Sequence, residues 1–266
     1  MIARLLICLA LIGIAAEPAA ARDWSDVVRP IRSGEPIQLR SDKAYLLVRI
    51  DFRGVTQDPV VLREPDAAEI AAYDSAKAEA FARKGSKGDL ASFLFDYDGA
   101  ANLFTLQHGK AIAKTKDEAT VLAEVQPGSY VLYGQAFGGF IFQCNCLGTV
   151  GFEAPAGVIT DMGVYLSDRA DKPSVYPQLA SETNIGPTAR MDYWLFVSTL
   201  VPANGTEALP AGVERSMVRP AKLHGIGPFV DPNVMHINRL AAIPGVLRYD
   251  GGRVIDVATG QEMKPR

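Results

Sequence analysis

Short apolar runs, separated by glycine, proline and aspartate, recur along most of this chain and restrict the folds that it can adopt. Residues 43–52 are the clearest example, because Val48 and Ile50 fall on one face of an extended chain. Arg49 and Asp51 fall on the other face, which gives the period of two that is typical of β-strands. This part of the chain is therefore predicted to be a strand.

Runs of the same kind predict further strands, at residues 59–62, 92–97, 103–107, 119–125, 130–137, 140–143, 149–154, 158–166, 193–200 and 246–257. The Pro127 and Gly128 pair gives the clearest hairpin prediction, and Asp250 with Gly251 gives another. Aromatic residues such as Tyr130 and Phe152 lie inside aliphatic strands. We expect them to fill the core rather than to form a ligand platform.

One helix is predicted, over about residues 66–84, where alanine, glutamate and lysine dominate. Asp66 followed by Glu69 resembles a capping box, and Lys84 precedes Gly85 at the other end. The only large apolar residues in this stretch are Ile70, Tyr73 and Phe81, so its apolar stripe is thin. The helix is therefore expected on the surface of another structure.

The order of these elements favours a mainly β fold, an antiparallel β-sandwich with one surface helix and long loops, over a doubly wound parallel sheet. Residues 167–192 and 202–233 carry few periodic signals and are predicted to be extended loops. Such loops either bind a partner or cover a sheet edge, and covering is the favoured interpretation.

The first 21 residues have the pattern of a secretory signal peptide, because Arg4 precedes an apolar run that ends in small residues at Ala21. The run is shorter than the roughly 20 apolar residues that a membrane span needs. An uncleaved anchor and lipidation at Cys8 are less favoured alternatives. The expected product is an exported single domain, residues 22–266, in the periplasm or secreted, with no transmembrane segment.

The charge balance excludes the usual pattern of a nucleic-acid-binding protein. The chain has 27 lysines and arginines against 30 aspartates and glutamates, a formal net charge of −3. Such proteins generally carry a basic excess, so we expect no nucleic-acid partner.

Cys144 and Cys146 are the only cysteines beyond the predicted signal peptide. In an exported protein they are candidates for a disulfide or a redox pair. Residues two apart in a straight strand have Cα atoms about 6.6 Å apart, so a bridge needs a bent backbone. An inert local bridge, an intermolecular or reactive pair, and a metal site remain open, in decreasing order of preference.

The histidines His108, His224 and His236 show no ligand spacing with the cysteines or with one another. Signatures such as Gly-x-Ser-x-Gly, His-Glu-x-x-His and the phosphate-binding loop are absent from the sequence. We therefore assign no catalytic residue, no metal site and no cofactor, and enzymatic activity is not favoured. A catalytic triad formed in space by one of these histidines remains an open alternative.

Two turn segments resemble a known group of proteins. They are Val-Gln-Pro-Gly-Ser-Tyr at residues 125–130 and Phe-Glu-Ala-Pro-Ala-Gly-Val at residues 152–158, which continues to Tyr165. Over residues 43–168 the chain resembles uncharacterised exported bacterial proteins related to lipoprotein sandwich domains. The resemblance implies a bacterial envelope setting and a sandwich fold, and it supplies no catalytic residue. This sequence lacks the lipidation cysteine of the lipoproteins, which puts membrane anchoring in doubt.

Two functional hypotheses follow. The first is a non-catalytic envelope protein, a binding or structural β-sandwich whose partner is an unknown envelope protein or surface component. The alternative is a thiol-disulfide or metal-handling protein centred on Cys144 and Cys146.

Overall fold

The computed structural model describes residues 27–85, 88–97, 102–137, 142–169, 172–179, 196–228 and 238–265. The predicted signal peptide, residues 1–21, lies outside the described residues, as does His236. The described chain is mainly β with a single α-helix, which confirms the predicted sandwich-like class.

The helix α1 spans Ala67–Lys84. In chain order the strands are β1 (Val28–Ile31), β2 (Ala44–Asp51), β3 (Asp58–Arg63), β4 (Leu103–Thr105), β5 (Ala113–Lys114), β6 (Glu118–Val125), β7 (Gly128–Phe137), β8 (Phe142–Cys144), β9 (Val150–Ala154), β10 (Ile159–Arg169), β11 (Phe196–Val201), β12 (Val218–Pro220), β13 (His224–Gly225), β14 (Leu247–Asp250), β15 (Arg253–Asp256) and β16 (Glu262–Met263).

The first sheet has the strand order β1-β6-β2-β10-β11, with β5 beside β6 and β12 beside β10. Most of its pairs are antiparallel, as predicted, but β10 runs parallel to both β2 and β12. Every residue of β2 is buried, which suits a strand that is covered on both faces. Alternation of apolar residues does not encode strand direction, so the sequence could not show these parallel pairs.

The second sheet has the order β13-β9-β7-β3-β4, with β8 beside β7, and all of its pairs are antiparallel. The third sheet is the small meander β14-β15-β16. Its first turn confirms the hairpin that Asp250 and Gly251 predict, since Asp250 pairs with Arg253.

The hairpin predicted at Pro127 and Gly128 is wrong. The strand before this turn, β6, belongs to the first sheet, and the strand after it, β7, belongs to the second. Both edges of β6 are already occupied, by β1 and β2, so β7 has no free edge to pair with. The turn is therefore a corner between sheets, and residues 155–158 make a second such corner between β9 and β10.

The main core lies between the sheets and includes side chains from all three of them. Tyr130 and Phe152, the predicted core aromatics, are buried with their ring centroids 5.7 Å apart. Other buried members of this cluster include Leu46, Val48, Ile50, Val61, Val121, Leu132, Val150, Leu200, Leu247 and Val254.

The outer face of the first sheet is covered by part of the second predicted loop. Val213 and Val218 from this stretch pack with Leu47 and Leu122 of the sheet in a separate buried cluster. The short strands β12 and β13 also lie within residues 202–233. We call residues 202–220 the covering connection, because its apolar side chains cover a sheet face.

An ion pair lies beneath the covering connection. The guanidinium of Arg49 binds both carboxylate oxygens of Asp161, at 2.8 and 3.1 Å, and donates to the carbonyl of Ala208 at 3.1 Å. Both charged side chains are buried. The parallel pair β2 and β10 is thus linked by side chains as well as by backbone hydrogen bonds.

A seam joins the edge of the first sheet to the second sheet. The amide of Ser198 in β11 donates to the carbonyl of Arg239 at 3.0 Å. The amide of Arg239 in turn donates to the carbonyl of Cys146 at 2.6 Å. Residues 239–241 therefore connect the sheets on the side where β11 would otherwise be an open edge.

Candidate binding surface

The chain between β3 and β4, residues 64–102, is an insertion in the second sheet. Its ends are adjacent, because Leu62 pairs with Leu103 and the amide of Arg63 donates to the carbonyl of Asn102 at 2.8 Å. The side chain of Arg63 also binds Glu69 and Asn102. The insertion thus begins and ends at adjacent positions of β3 and β4. A short hairpin turn could connect the two strands equally well.

The helix of the insertion has the termini that its sequence predicts. The amide of Glu69 donates to the carboxylate of Asp66 at 2.8 Å, and the amide of Asp66 donates to the carboxylate of Glu69 at 2.8 Å. Gly85 ends the helix in the left-handed conformation, with φ of 59°. None of the helix residues is buried, so α1 contributes little to the sandwich core.

Residues 92–97 follow the helix and alternate in exposure. Phe93, Phe95 and Tyr97 are half-buried, whereas Leu94 and Asp96 are exposed. The rings of Phe93 and Phe95 stack with centroids 6.2 Å apart, and those of Phe95 and Tyr97 are 5.9 Å apart. Side chains two residues apart share a face only when the backbone is extended. The predicted period of two is therefore correct, but the predicted strand is wrong, because no described strand pairs with this segment.

The apolar stripe of the helix packs on this row of rings. Tyr73 contacts Phe95 and Tyr97 with centroids 5.5 and 5.2 Å apart, and Phe81 contacts Phe93 at 5.3 Å. Aromatic pairs of this kind stabilise by about 0.5–1.5 kcal/mol each beyond the area they bury. The insertion is therefore held together by its own aromatic side chains.

Two lysines of the helix lie over the aromatic rings. The ammonium of Lys77 is 5.8 Å from the centroid of Tyr73 and donates to the carbonyl of Ala91 at 2.9 Å. The ammonium of Lys84 is 5.6 Å from the centroid of Phe93. These are cation–π distances, so the positive charges are positioned beside the apolar surface.

An open groove of about 580 Å³ lies between the end of the helix and the extended segment. This volume is within the range of small-ligand sites, about 300–1,000 Å³. Two cations, one carboxylate and four apolar residues line it, namely Ala80, Arg83, Lys84, Phe93, Leu94, Phe95 and Asp96.

The insertion also holds most of the large apolar side chains that are exposed in the described residues. Of the six large apolar side chains that are exposed in the described residues, four lie here, namely Ile70, Tyr73, Leu90 and Leu94. Leu94 is the most exposed of all, at 78%. Exposed apolar side chains that are concentrated in one region mark an interaction surface more often than those that are scattered singly.

No family model, curated protein or solved structure matches this chain. Within the described ranges, no helix combines the length and the apolar composition that crossing a membrane requires.

Cys144 and Cys146, the pair that the sequence singles out, form a disulfide. Their Cα atoms are 5.2 Å apart, less than in a straight strand, as the bent-backbone argument predicts. Cys144 is half-buried and Cys146 is buried. The backbone of Cys144 lies against β7 at Gly134, where a Cβ atom would overlap the carbonyl oxygen of Cys144.

The histidines do not assemble a hydrolytic site in the part of the chain that the structure describes. His108 Nδ1 lies 2.6 Å from Asp58 Oδ1, and the backbone amide of His108 donates to the same oxygen at 2.8 Å. His224 is exposed, and its Nδ1 lies 3.5 Å from the carbonyl of Lys222. Neither ring bonds a described serine or cysteine. The same residues contain no group of three or more His, Cys, Asp or Glu that could hold a metal.

A buried polar network inside the sandwich was not predicted from the sequence. The hydroxyl of Ser198 donates to Gln135 at 2.6 Å, the hydroxyl of Tyr165 donates to Ser198 at 2.8 Å, and the hydroxyl of Ser167 donates to Gln57 at 2.6 Å. Burial raises the pKa of Tyr165 well above its usual value. The sequence signal that could have revealed this network is the presence of polar residues at core-facing positions in or beside strands. All five are almost fully buried, so the network acts as packing and orientation within the core.

Proposed function

We propose that the protein is an exported envelope protein whose β-sandwich is a non-catalytic scaffold and whose insertion is a binding surface. The observation that carries this proposal is the insertion's open groove, with Leu94 exposed beside Arg83 and Lys84. Export is supported by the pattern of residues 1–21 and by the disulfide, since disulfides persist mainly outside the cytosol.

The sandwich does not need the insertion to complete its sheet. Leu62 and Leu103 are already paired, and the helix buries no residue. Exposed apolar area promotes aggregation unless a partner covers it. A binding role gives the insertion a physical reason that sandwich stability does not.

Site-specific photo-crosslinking in the envelope tests this proposal. A benzoylphenylalanine at Leu94 is expected to crosslink to a partner, whereas the same group at Val175, which is also exposed, is expected not to. Equal crosslinking at both positions, or none at Leu94, contradicts the proposal. The mass of the exported protein should correspond to a chain that begins at Arg22.

A deletion variant provides the matched loss-of-function control. Replacing residues 64–101 with Asn-Gly should leave a β3–β4 hairpin in the same register, because Arg63 and Asn102 would then flank a dipeptide that favours the type I′ turn. The variant is expected to keep the circular dichroism of the sheets and to lose the partner. Loss of the sandwich fold would show that the insertion is part of the scaffold and would contradict the proposal.

A second candidate is thiol-disulfide exchange at Cys144 and Cys146. The observation that favours it is the asymmetry of the bridge, in which Cys144 is half-buried and Cys146 is buried. An exchange partner would attack the more accessible sulfur. Replacing both cysteines with serine should abolish exchange with a dithiol substrate and leave the fold intact. Exchange at the wild-type rate in that variant would eliminate this candidate.

A further inference from the structure

We infer that residues 92–97 are a docking strand, to which an extended acidic peptide of a partner protein adds as a neighbouring β-strand. This inference rests on the proposed function and names the chemistry of the ligand.

The backbone of the docking strand is extended, and its hydrogen-bonding groups decide whether a ligand strand can be added. Phe93, Phe95 and Tyr97 face the helix in a row, as the ring distances show. Within the described ranges, no backbone hydrogen bond involves residues 94–97. A short extended segment with free amide and carbonyl groups is the template for strand addition, in which main-chain hydrogen bonds supply affinity.

The side chains of the docking strand offer an anchor for alternate residues of a ligand. Leu94 projects away from the ring row and is 78% exposed. Leu94 also lines the groove, so an added strand would place every second side chain beside Leu94, where an apolar residue would be buried. In strand addition, such contacts at every second residue give specificity.

The charges beside the groove select an acidic ligand. Arg83 and Lys84 stand on the helix wall and Asp96 on the opposite wall, a balance of two cations to one anion. Complementary charge at the rim of an interface speeds association and excludes like-charged partners. The expected ligand is therefore a peptide in which acidic and apolar residues alternate.

Direct binding of synthetic peptides to the purified mature protein tests the inference. The first probe is an acetylated peptide of about eight residues, the length of an ordinary strand, in which glutamate and valine alternate. It should bind, and the amide signals of residues 94–97 should shift in NMR spectra and gain protection from hydrogen exchange. The matched control, with lysine in place of glutamate, should bind at least about tenfold more weakly, a difference of about 1.4 kcal/mol.

Two N-methylated versions of the acidic peptide test the backbone step. One carries methyl groups on the odd amides and the other on the even amides, and in a strand only one of these sets faces the neighbour. Strand addition predicts that one version loses binding and the other keeps it. Equal affinity of the two versions overturns the inference of strand addition, because a groove that contacts only the side chains of the peptide would bind both versions equally.

A charge reversal on the helix tests the charge selection without changing any residue of the docking strand. The double variant Arg83→Glu with Lys84→Glu should weaken the acidic peptide at least about tenfold, and it should tighten the lysine peptide. The matched control is Lys116→Glu with Lys222→Glu, at two exposed sandwich positions, which should leave both affinities unchanged. Equal weakening by both double variants overturns local charge selection.

The outcomes separate this inference from the proposed function. Crosslinking at Leu94 in the envelope without binding of any peptide would overturn the docking strand and leave the binding surface intact. A dimer in sedimentation equilibrium that Leu94→Asp dissolves would show that a second copy occupies the strand, and it would also overturn the inference. The side chain of Leu94 is exposed, so this variant keeps the fold.

Discussion

Two of the long connections of this protein differ in the burial of their apolar side chains. In the covering connection, Val213 and Val218 are only 8% and 5% exposed, because they pack on the outer face of the first sheet. In the insertion, no helix residue is buried and Leu94 is 78% exposed. A long irregular connection is thus a stabilising layer in one place and an open surface in the other.

The difference in burial follows from the surface on which each connection packs. The first sheet presents Tyr45 and Leu47 on its outer face, which need covering. The insertion starts beyond the end of β3 and finds its apolar partners within itself, in the ring row of residues 93–97. Its outward surface is therefore left for another molecule. Four experiments test this difference between the covering connection and the insertion.

The largest effect is expected where the covering connection and the sheet share a buried charge. Asp161→Ala should lower the free energy of unfolding by about 3–5 kcal/mol, because it leaves the buried guanidinium of Arg49 without its carboxylate. Urea unfolding measures this change. The variant that also carries Arg49→Met should recover much of the loss, and no recovery would show that the ion pair does not act as a unit.

A matched pair of truncations compares the two connections directly. Val213→Ala should lower the free energy of unfolding by about 2 kcal/mol, since it removes two buried methyl groups and leaves a cavity. Leu94→Ala should change it by less than about 0.5 kcal/mol, because its side chain is already in water. Similar losses in the two variants would remove the distinction between covering layer and open surface.

The helix cap tests whether the insertion unfolds separately from the sandwich. Asp66→Ala removes the side-chain acceptor for the amide of Glu69 and should cost the helix about 1 kcal/mol. Hydrogen exchange in α1 should accelerate about fivefold, while exchange in β2 and β6 should not change. Faster exchange throughout the strands would show that the insertion and the sandwich form one cooperative unit.

The smallest effect concerns acid stability, which we assign to the sandwich. Burial alone would raise the pKa of Asp51, but hydrogen bonds from Arg53 and Tyr176 outweigh it and hold this pKa below its usual value. A carboxyl with a lowered folded pKa stabilises the protein above its unfolded pKa of about 3.9, and this contribution is lost as pH falls through the folded pKa. The free energy of unfolding should therefore decline below about pH 4, and less steeply in Asp51→Asn. An unchanged slope in this variant would assign the acid sensitivity to other carboxylates.

Local features of the fold were predictable from the sequence, because neighbouring residues determine them. The capping box of Asp66 and Glu69, the turn at Asp250 and most strand positions belong to this class. Their physical causes, capping hydrogen bonds, turn conformations and alternation, all act within a few residues.

Features that depend on distant parts of the chain were not predictable in the same way. The turn at Pro127 and Gly128 has the residues of a hairpin, yet the neighbouring edge of β6 is taken by a strand from elsewhere. Alternation at 92–97 correctly showed an extended chain but not the lack of a partner. The cysteine pair was visible by spacing, whereas the groove between α1 and this segment depends on their packing.

The seam at residues 239–241 has a consequence for the order in which the molecule matures. A polypeptide emerges from the ribosome with its amino end first, so Cys146 and Ser198 emerge well before Arg239, whose backbone bonds to both. Until then, β11 presents an unsatisfied edge and the half-finished sandwich is open on that side. Quality control of this protein is therefore expected to concentrate on the interval before its last strands arrive, and truncation before residue 239 should convert a stable product into a substrate for holding chaperones and proteases.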